Sequence, residues 1–305
     1  MIGPLTGVGV SFGTFGELMQ GALPGVDTDF LVTLPIARWS TAEITVVPGD
    51  GQLRVDPPDR HKALRLAKLV LARYGVRGGG LLTVASDLPV GKGMASSSAD
   101  LVATVRAVAD ALGRPVSPWA TEDLLRLIEP TDGLMYHDTV AFYHRRVRLC
   151  RRLGPLPPMT VVGVDEGGQV DTVDFNASRD AITPAERREY AALLDRLEVA
   201  LPAGDLATVG AIATRSAVLN QARCPKHHLD QVLDVCRQVG ALGVAVAHSG
   251  TMAGILVVRS DPDHARKVAD AIDGCAGLGA VSVDETLKFV PSPVGESQSA
   301  RMAVK

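Results

Sequence analysis

The sequence predicts a protein of two mixed α and β halves that meet near residue 155. Three observations lead there. Segments with strand-like character alternate with segments of helical spacing along most of the chain. A proline- and glycine-rich break, "GPLPP" at 154–158, falls near the middle. And 305 residues, 46% hydrophobic and 21% charged, exceed one typical domain of roughly 100–200 residues and can bury a large core. Aromatic residues are only 4%, so that core is built mainly from Ala, Val and Leu.

The elements follow in order. Residues 28–47, "TDFLVTLPIARWSTAEITVV", are rich in β-branched and aromatic residues and read as two strands broken near Pro35. Residues 62–75 place Leu64, Ala67, Leu71 and Tyr74 at helical spacing, with Gly75 as the stop. "GLLTVASDLP" reads as a strand that runs out to a loop at Pro89. A helix then carries Leu101, Val105, Val108 and Leu112 on one face and closes at Gly113. "WATEDLLRLIEP" is a further helix, capped by Thr121 and stopped by Pro130. "TVAFYHRRVRLCRRLG" contains an alternating strand. Beyond the break, "MTVVGVDEGG" reads as strand and turn, and 183–240 as largely helical. "ALGVAVAHSGTMAGILVV" reads as strand, glycine turn and strand, followed by a helix in "DPDHARKVADAIDGC" and a strand in "GAVSVDETLKFV". The tail at 291–305 has little to bury and is expected to be disordered.

Composition narrows the function. With 31 basic and 34 acidic residues the net charge is −3, which argues against a nucleic-acid-binding surface. The four cysteines, Cys150, Cys224, Cys236 and Cys275, form no C-x-x-C pair, and a chain of this length needs no disulfide staple, so reduced thiols are expected. The N-terminal residues lack the pattern of a secretion signal, and no apolar run approaches the roughly 18 residues of a membrane helix. A cytoplasmic protein is the expectation.

The chemistry-bearing stretch is "LPVGKGMASSSAD", Leu88–Asp100, whose serines fall at the start of a helix. A helix N-terminus carries about half a positive charge and unpaired N–H groups. Glycines let the backbone approach an anion, and serine hydroxyls add donors or a metal ligand. Two common phosphate loops are excluded. In a P-loop the Lys precedes Ser or Thr and a Gly stands five positions before the Gly-Lys pair, but here Gly93 follows Lys92 and Ser86 holds that earlier place. The dinucleotide fingerprint wants a third glycine where Ser96 stands. From this stretch alone, a phosphate loop and a plain glycine–serine corner with serine helix caps are both open.

The stretch resembles the second motif of the GHMP kinases, roughly P-x-x-x-G-L-G-S-S-A-A: Pro89, Gly93, Ser96, Ser97 and Ala99 match. Met94, Ala95 and Ser98 depart from it, and Ala95 matters most because glycine usually allows that backbone path. "FGELMQG" (Phe15 to Gly21) is similar to the family's first motif and "AHSGTMAGIL" (Ala247 to Leu256) to its third. The finer resemblance is to the branch that phosphorylates threonine, at "GELMQG", "STAEITV", "EPTDG", the spacing of Asn220, Gln221, Pro225 and Lys226, and "AHSGT". Phe15 departs from that branch, which often has Cys there, as does the insert "ALPGVDTDFLVTLPI".

The resemblance implies a two-domain α+β GHMP kinase fold: residues 1–155 like ribosomal protein S5 domain 2 and residues 156–290 ferredoxin-like, with the active site between them. It implies ATP and Mg²⁺ as cofactors and a small hydroxy amino acid, threonine or a relative, as acceptor, with no nucleic acid or membrane partner. It leaves a homodimer open. Nucleotide phosphates would lie on Pro89, Gly91, Lys92, Gly93, Met94, Ala95, Ser96, Ser97 and Ser98. Mg²⁺ takes oxygen ligands and keeps waters, so one hydroxyl and one carboxylate suffice. Ser97 and Glu129 are those two by resemblance, with Glu122 the alternative carboxylate. Asp132 would be the catalytic base, and Glu17, His248, Ser249 and Gly250 would face the substrate. The family also contains kinases of homoserine, other alcohols and sugars, and a non-catalytic nucleotide-binding member is a further alternative.

Each of these residues has a plainer reading. Asp132 could be a turn aspartate bonded to its own backbone. Glu17 could hold loops or form a surface ion pair, and His248 could be structural. Lys226 is either a carboxylate-binding cation or a solvated lysine. The spacing of Cys224, His227 and His228 in "CPKHH" fits no ordinary zinc site. "YHRRVRLCRR" is expected to be a solvated basic face, with Arg146 and Arg148 on one side of a strand and Val147 and Leu149 on the other.

Overall fold

Two long antiparallel strands carry the structure: β1 (Leu5–Ala22) and β2 (Asp29–Pro48). The computed structural model describes residues 3–168 and 182–289, and the tail expected at 291–305 lies outside them. On one side of the hairpin, β4 (Gly78–Ser86) pairs with β2 and β3 (Leu53–Asp56) pairs with β4. On the other, β1 passes to β8 (Gly243–Val246), then β9 (Met252–Val258), β7 (Met159–Asp165) and β10 (Ala280–Glu285). Each of these pairings is antiparallel except β3 with β4. A hairpin of β5 (Thr139–Tyr143) and β6 (Arg148–Gly154) branches off β2.

The helices cover this sheet. α1 (His61–Arg73) buries Ala63, Leu66, Ala67, Val70 and Leu71, and the expected stop, Gly75, lies just past its C-cap Tyr74 at φ 69°. α2 (Ser96–Ala111) is the helix that follows the glycine–serine stretch. It is enclosed almost all round rather than on one face, because it packs on β1, β2, β4 and α1 together. Small residues at Ala99, Ala103 and Ala107 make that possible. Asp100 pins its first turn: the carboxylate accepts from Ser40 Oγ at 2.6 Å and pairs with Arg60 at 3.2 Å. α3 (Pro118–Leu125), α4 (Pro184–Ala203), α5 (Leu206–Asn220), α6 (Leu229–Val239) and α7 (His264–Gly274) complete the described set.

Three expectations are corrected. Pro35 does not break β2. It sits opposite Thr14 beside a bulge that shifts the β1–β2 register between Phe12 and Gly13, a place where a missing N–H is tolerated. α3 is capped by Ser117, whose Oγ accepts from Ala120 N–H at 3.3 Å, with Pro118 at its first position. Thr121 lies inside the helix, which ends at Leu125, before Pro130. "YHRRVRLCRR" is not one strand but the turn and second strand of a hairpin, so Arg146 and Val147 lie in the turn.

Phe15 stitches the two halves together. Its ring is fully buried. Gly163 on β7 and Gly254 on β9 are cross-strand partners, and a Cβ on either would come within 2.5 Å of that ring. The sheet is therefore thinned where the aromatic enters. Phe15 belongs to the larger of two cores, which takes in residues from both sides of position 155; the smaller lies between β7–β9 and helices α6 and α7. Phe15→Ala should lower stability by about 3–5 kcal/mol, read as a fall in denaturant midpoint, because two glycines cannot close the void.

Candidate active site

The glycine–serine stretch forms one wall of a cavity of about 270 Å³. Gly91 and Gly93 have φ of 73° and 85°, left-handed conformations suited to glycine. Gly93 is also pressed against the second half: a Cβ there would lie 2.3 Å from that of Ala247. The loop is tied to β1 by Gly16 N–H donating to Gly93 O at 3.0 Å and Thr14 N–H to Met94 O at 3.3 Å. Ala95, the residue before α2, has φ 57° and ψ 30°. It takes the left-handed path usually left to glycine, at a cost of about 1–2 kcal/mol.

No side chain caps α2. Its first backbone bond runs from Ala99 N–H to Ala95 O at 2.9 Å, so the N–H groups of Ser96, Ser97 and Ser98 precede the ladder at the positive end of the helix dipole. The serines do not serve as helix caps. Ser97 Oγ donates to Glu129, and Ser98 Oγ donates to Asp132 Oδ2 at 3.4 Å while accepting from Asp132 N–H at 3.1 Å. Lys62, at the start of α1, holds the second oxygen of Glu129.

Asp132 and Glu129 thus reach the mouth of α2 from the loop after α3. The Asp132 carboxyl is enclosed, and burial pushes it up to about 6; the Ser98 hydrogen bond pulls down and the Glu129 charge pushes up. Glu17 lies opposite on β1, at the point where β1 meets Val246 of β8. Its carboxylate accepts from His248 N–H. Burial, and then the charge of Asp132, hold the Glu17 carboxyl well above the usual range, opposed by the His248 hydrogen bond and Lys226. The His248 ring bonds Gln20 Oε1 at 2.8 Å and meets His144 edge-on at 5.2 Å.

The cavity brings together Glu17, Gly91, Gly93 to Ser98, Glu129, Asp132, His248 and Ser249. Other expected residues stand apart from it. Pro89 does not line the cavity. Lys92 turns away, its ammonium 2.7 Å from Asp165 and 2.6 Å from Gly168 O. It clamps the loop to the second half instead of facing the cavity. Gly250 lies under the loop, where a Cβ would come within 2.3 Å of Lys92 O. Glu122 is buried and accepts from Tyr136 Oη at 2.6 Å and Leu149 N–H at 2.8 Å, away from Ser97. The "CPKHH" histidines present their backbone N–H groups to Glu166, and among the described residues no three His, Cys, Asp or Glu gather as a metal cage. Lys62, Thr131 and His144 line the cavity without having been singled out. A lysine at helical spacing and a histidine in a basic run carry no local signal of that role.

Known proteins place this arrangement. The family model of the GHMP kinase N-terminal domain matches residues 61–146, and that of the C-terminal domain matches residues 197–276. A 4-diphosphocytidyl-2-C-methyl-D-erythritol kinase of Thermobifida fusca is 32% identical over 228 residues, 73% of this chain and 71% of that protein. The chain belongs to the GHMP kinases. An L-threonine kinase of Salmonella typhimurium is 29% identical over 254 residues, 82% of this chain and 83% of that protein. The crystal structure of a homoserine kinase from Cytophaga hutchinsonii shares the fold at TM-score 0.69 and 17% identity, covering 94% of this chain and 96% of that one. This GHMP kinase is an ATP-dependent enzyme that acts on a small alcohol. Its α+β fold matches the expectation. Among the described residues no helix is long and apolar enough to cross a membrane.

The left-handed residue before α2 offers a direct test. Ala95→Val should cost about 1–2 kcal/mol or more and weaken ATP binding, because a β-branched residue resists that backbone. Ala95→Gly should keep both, as thermal melts and nucleotide titration will read.

Proposed function

We propose that this GHMP kinase transfers the γ-phosphoryl group of ATP to the side-chain hydroxyl of L-threonine or a closely related hydroxy amino acid. The observation that carries this is the meeting of two unlike carboxyls in one cavity. Asp132 lies beside the N-terminus of α2, placed to take a hydroxyl proton, and Glu17 lies on the opposite wall, placed to receive an ammonium. The L-threonine kinase relatives support the same acceptor.

The loop from Gly91 to Ser98 would hold the phosphates on its N–H groups. Ser97 Oγ and Glu129 fit Mg²⁺: both are hard oxygen donors, they touch one another, and they stand at the same helix end. When bound, the ion neutralises charge on the phosphates. Asp132 accepts the hydroxyl proton as the alcohol oxygen bonds to the γ-phosphorus and the bond from that phosphorus to the bridging oxygen breaks. His248 and Ser249 border the acceptor side. The two domains are proposed as 1–155 and 156–290, the enzyme as cytoplasmic, and its oligomeric state as monomer or homodimer.

Assaying ADP release on threonine, serine, homoserine and hydroxylated non-amino acids tests the acceptor. Threonine should lead; a preference for an alcohol without an amino group would overturn the proposal. The base must be ionised, so kcat/KM should fall as pH drops through about 6. Asp132→Asn should lose at least about a hundredfold in kcat while still binding ATP. It should also melt higher. The Asp132 value lies above the ordinary 3.8, so its protonated form stabilises the fold below about pH 4 and that contribution is lost as pH rises through about 6. Asparagine removes the loss, a gain of about 1–2 kcal/mol at pH 8 that shrinks toward pH 5.

A further inference from the structure

ATP brings several negative charges to a cavity whose walls already carry the carboxyls of Glu17, Glu129 and Asp132, beside the rings of His144 and His248. Like charges repel strongly where water is excluded, so the phosphates need a cation from the chain as well as the N–H groups of the loop. Three cations stand around the start of α2, and two are committed elsewhere. Arg60 reaches Asp100 at 3.2 Å and Asp59 at 3.5 Å. Lys92, which the resemblance placed on the phosphates, is held by Asp165 and Gly168 O. Lys62 is left, and among the described residues that line the cavity it is the one lysine or arginine.

Lys62 is the second residue of α1, whose first turn has no acidic residue. A cation there opposes the helix dipole, so helix stability does not account for it. Its ammonium donates to Glu129 Oε2, while Ser97 Oγ donates to Oε1 of the same carboxylate. One carboxylate thus separates the ammonium from the helix end where the N–H groups of Ser96, Ser97 and Ser98 stand. The Lys62 side chain is 45% exposed and that of Glu129 13%, so the ammonium lies on the open side of the pair. A lysine ammonium has three donors on a flexible stem, and it can keep Glu129 while it meets a second oxygen.

We propose that Lys62 is the side chain that binds the phosphates of ATP, bridging Glu129 and a phosphate oxygen at the start of α2. This rests on the placing of the phosphates at that loop proposed above. Glu129 orients the ammonium, and α1 delivers the charge that Lys92 does not.

The test titrates ADP and adenosine calorimetrically into wild type, Lys62→Met and Lys62→Gln, all in EDTA so that no divalent ion takes part. Thermal melts identify the folded variants. Both substitutions should weaken ADP about tenfold or more and leave adenosine within about twofold, and Lys62→Arg should keep most of the ADP affinity. In a Glu129→Gln background Lys62 has no carboxylate to support. Lys62→Met should still weaken ADP about tenfold there, which separates a phosphate contact from a role that acts only on Glu129. A folded Lys62→Met protein that binds ADP as wild type does, that loses ADP and adenosine alike, or that loses nothing once Glu129 is Gln would overturn the proposal. If ADP leaves the amide resonances of Ser96, Ser97 and Ser98 in wild type unmoved, the phosphate-loop reading fails, while the difference between ADP and adenosine still decides the role of Lys62.

Discussion

Four residues of β1, Thr14 to Glu17, hold the site together. The N–H groups of Thr14 and Gly16 bind the phosphate loop, the ring of Phe15 is sunk between β7 and β9, and Glu17 pairs across to β8. One short strand segment therefore fixes the loop, the second half of the molecule and the acidic wall of the cavity at once. In a regular strand residues 15 and 17 would share a face, but Gly16, at φ 51°, and a register shift between Thr14 and Glu17 interrupt the alternation, so Phe15 serves packing while Glu17 borders the cavity. A shift of one residue would exchange Phe15 with its neighbours and withdraw Glu17 from the cavity. The shifts in the β1–β2 register on either side of this segment and within it are where the strand is re-aimed.

Electrostatics in the cavity follow from the same geometry. Glu17, Glu129 and Asp132 converge on the positive end of α2, and each is managed differently. Lys62 and Ser97 hold Glu129, the His248 N–H and buried Lys226 support Glu17, and Asp132 has only Ser98. Burial pushes the Asp132 carboxyl up to about 6, the range that its proposed role as a base requires. Stability is given up at Asp132 and recovered in the core around it.

Much of this was legible in the sequence because the chemistry is local. Gly91 to Ser98, Glu129 and Asp132 fall within two short stretches, and backbone donors need no long-range partner to be recognised. Element types were legible for the same reason: the periodicity of α1 and the turn between β8 and β9 are properties of adjacent residues. What was hidden depends on distant contacts. Pro35 survives inside β2 only because a bulge stands opposite. Lys92 looks like a phosphate ligand until Asp165, far along the chain, takes its charge. Glu122 and Glu129 are both acidic residues near Asp132, and only the positions of Tyr136 and Leu149 show that Glu122 is spent on structure. His144 and Lys62 enter the cavity through the path of whole elements, which no spacing rule encodes.

The phosphate side and the acceptor side are built in different ways. In the proposed reading, phosphate is met by backbone groups whose direction follows from φ and ψ, and so the same loop can serve many alcohols. The proposed acceptor would be met by side chains on β1 and around β8, whose charge depends on burial and neighbours. Selection among acceptors can then change through residues that touch no substrate, by altering the ionisation of one that does. Glu17 lies far in sequence from the loop proposed to bind ATP, so substrate preference can drift while the geometry at α2 stays in place.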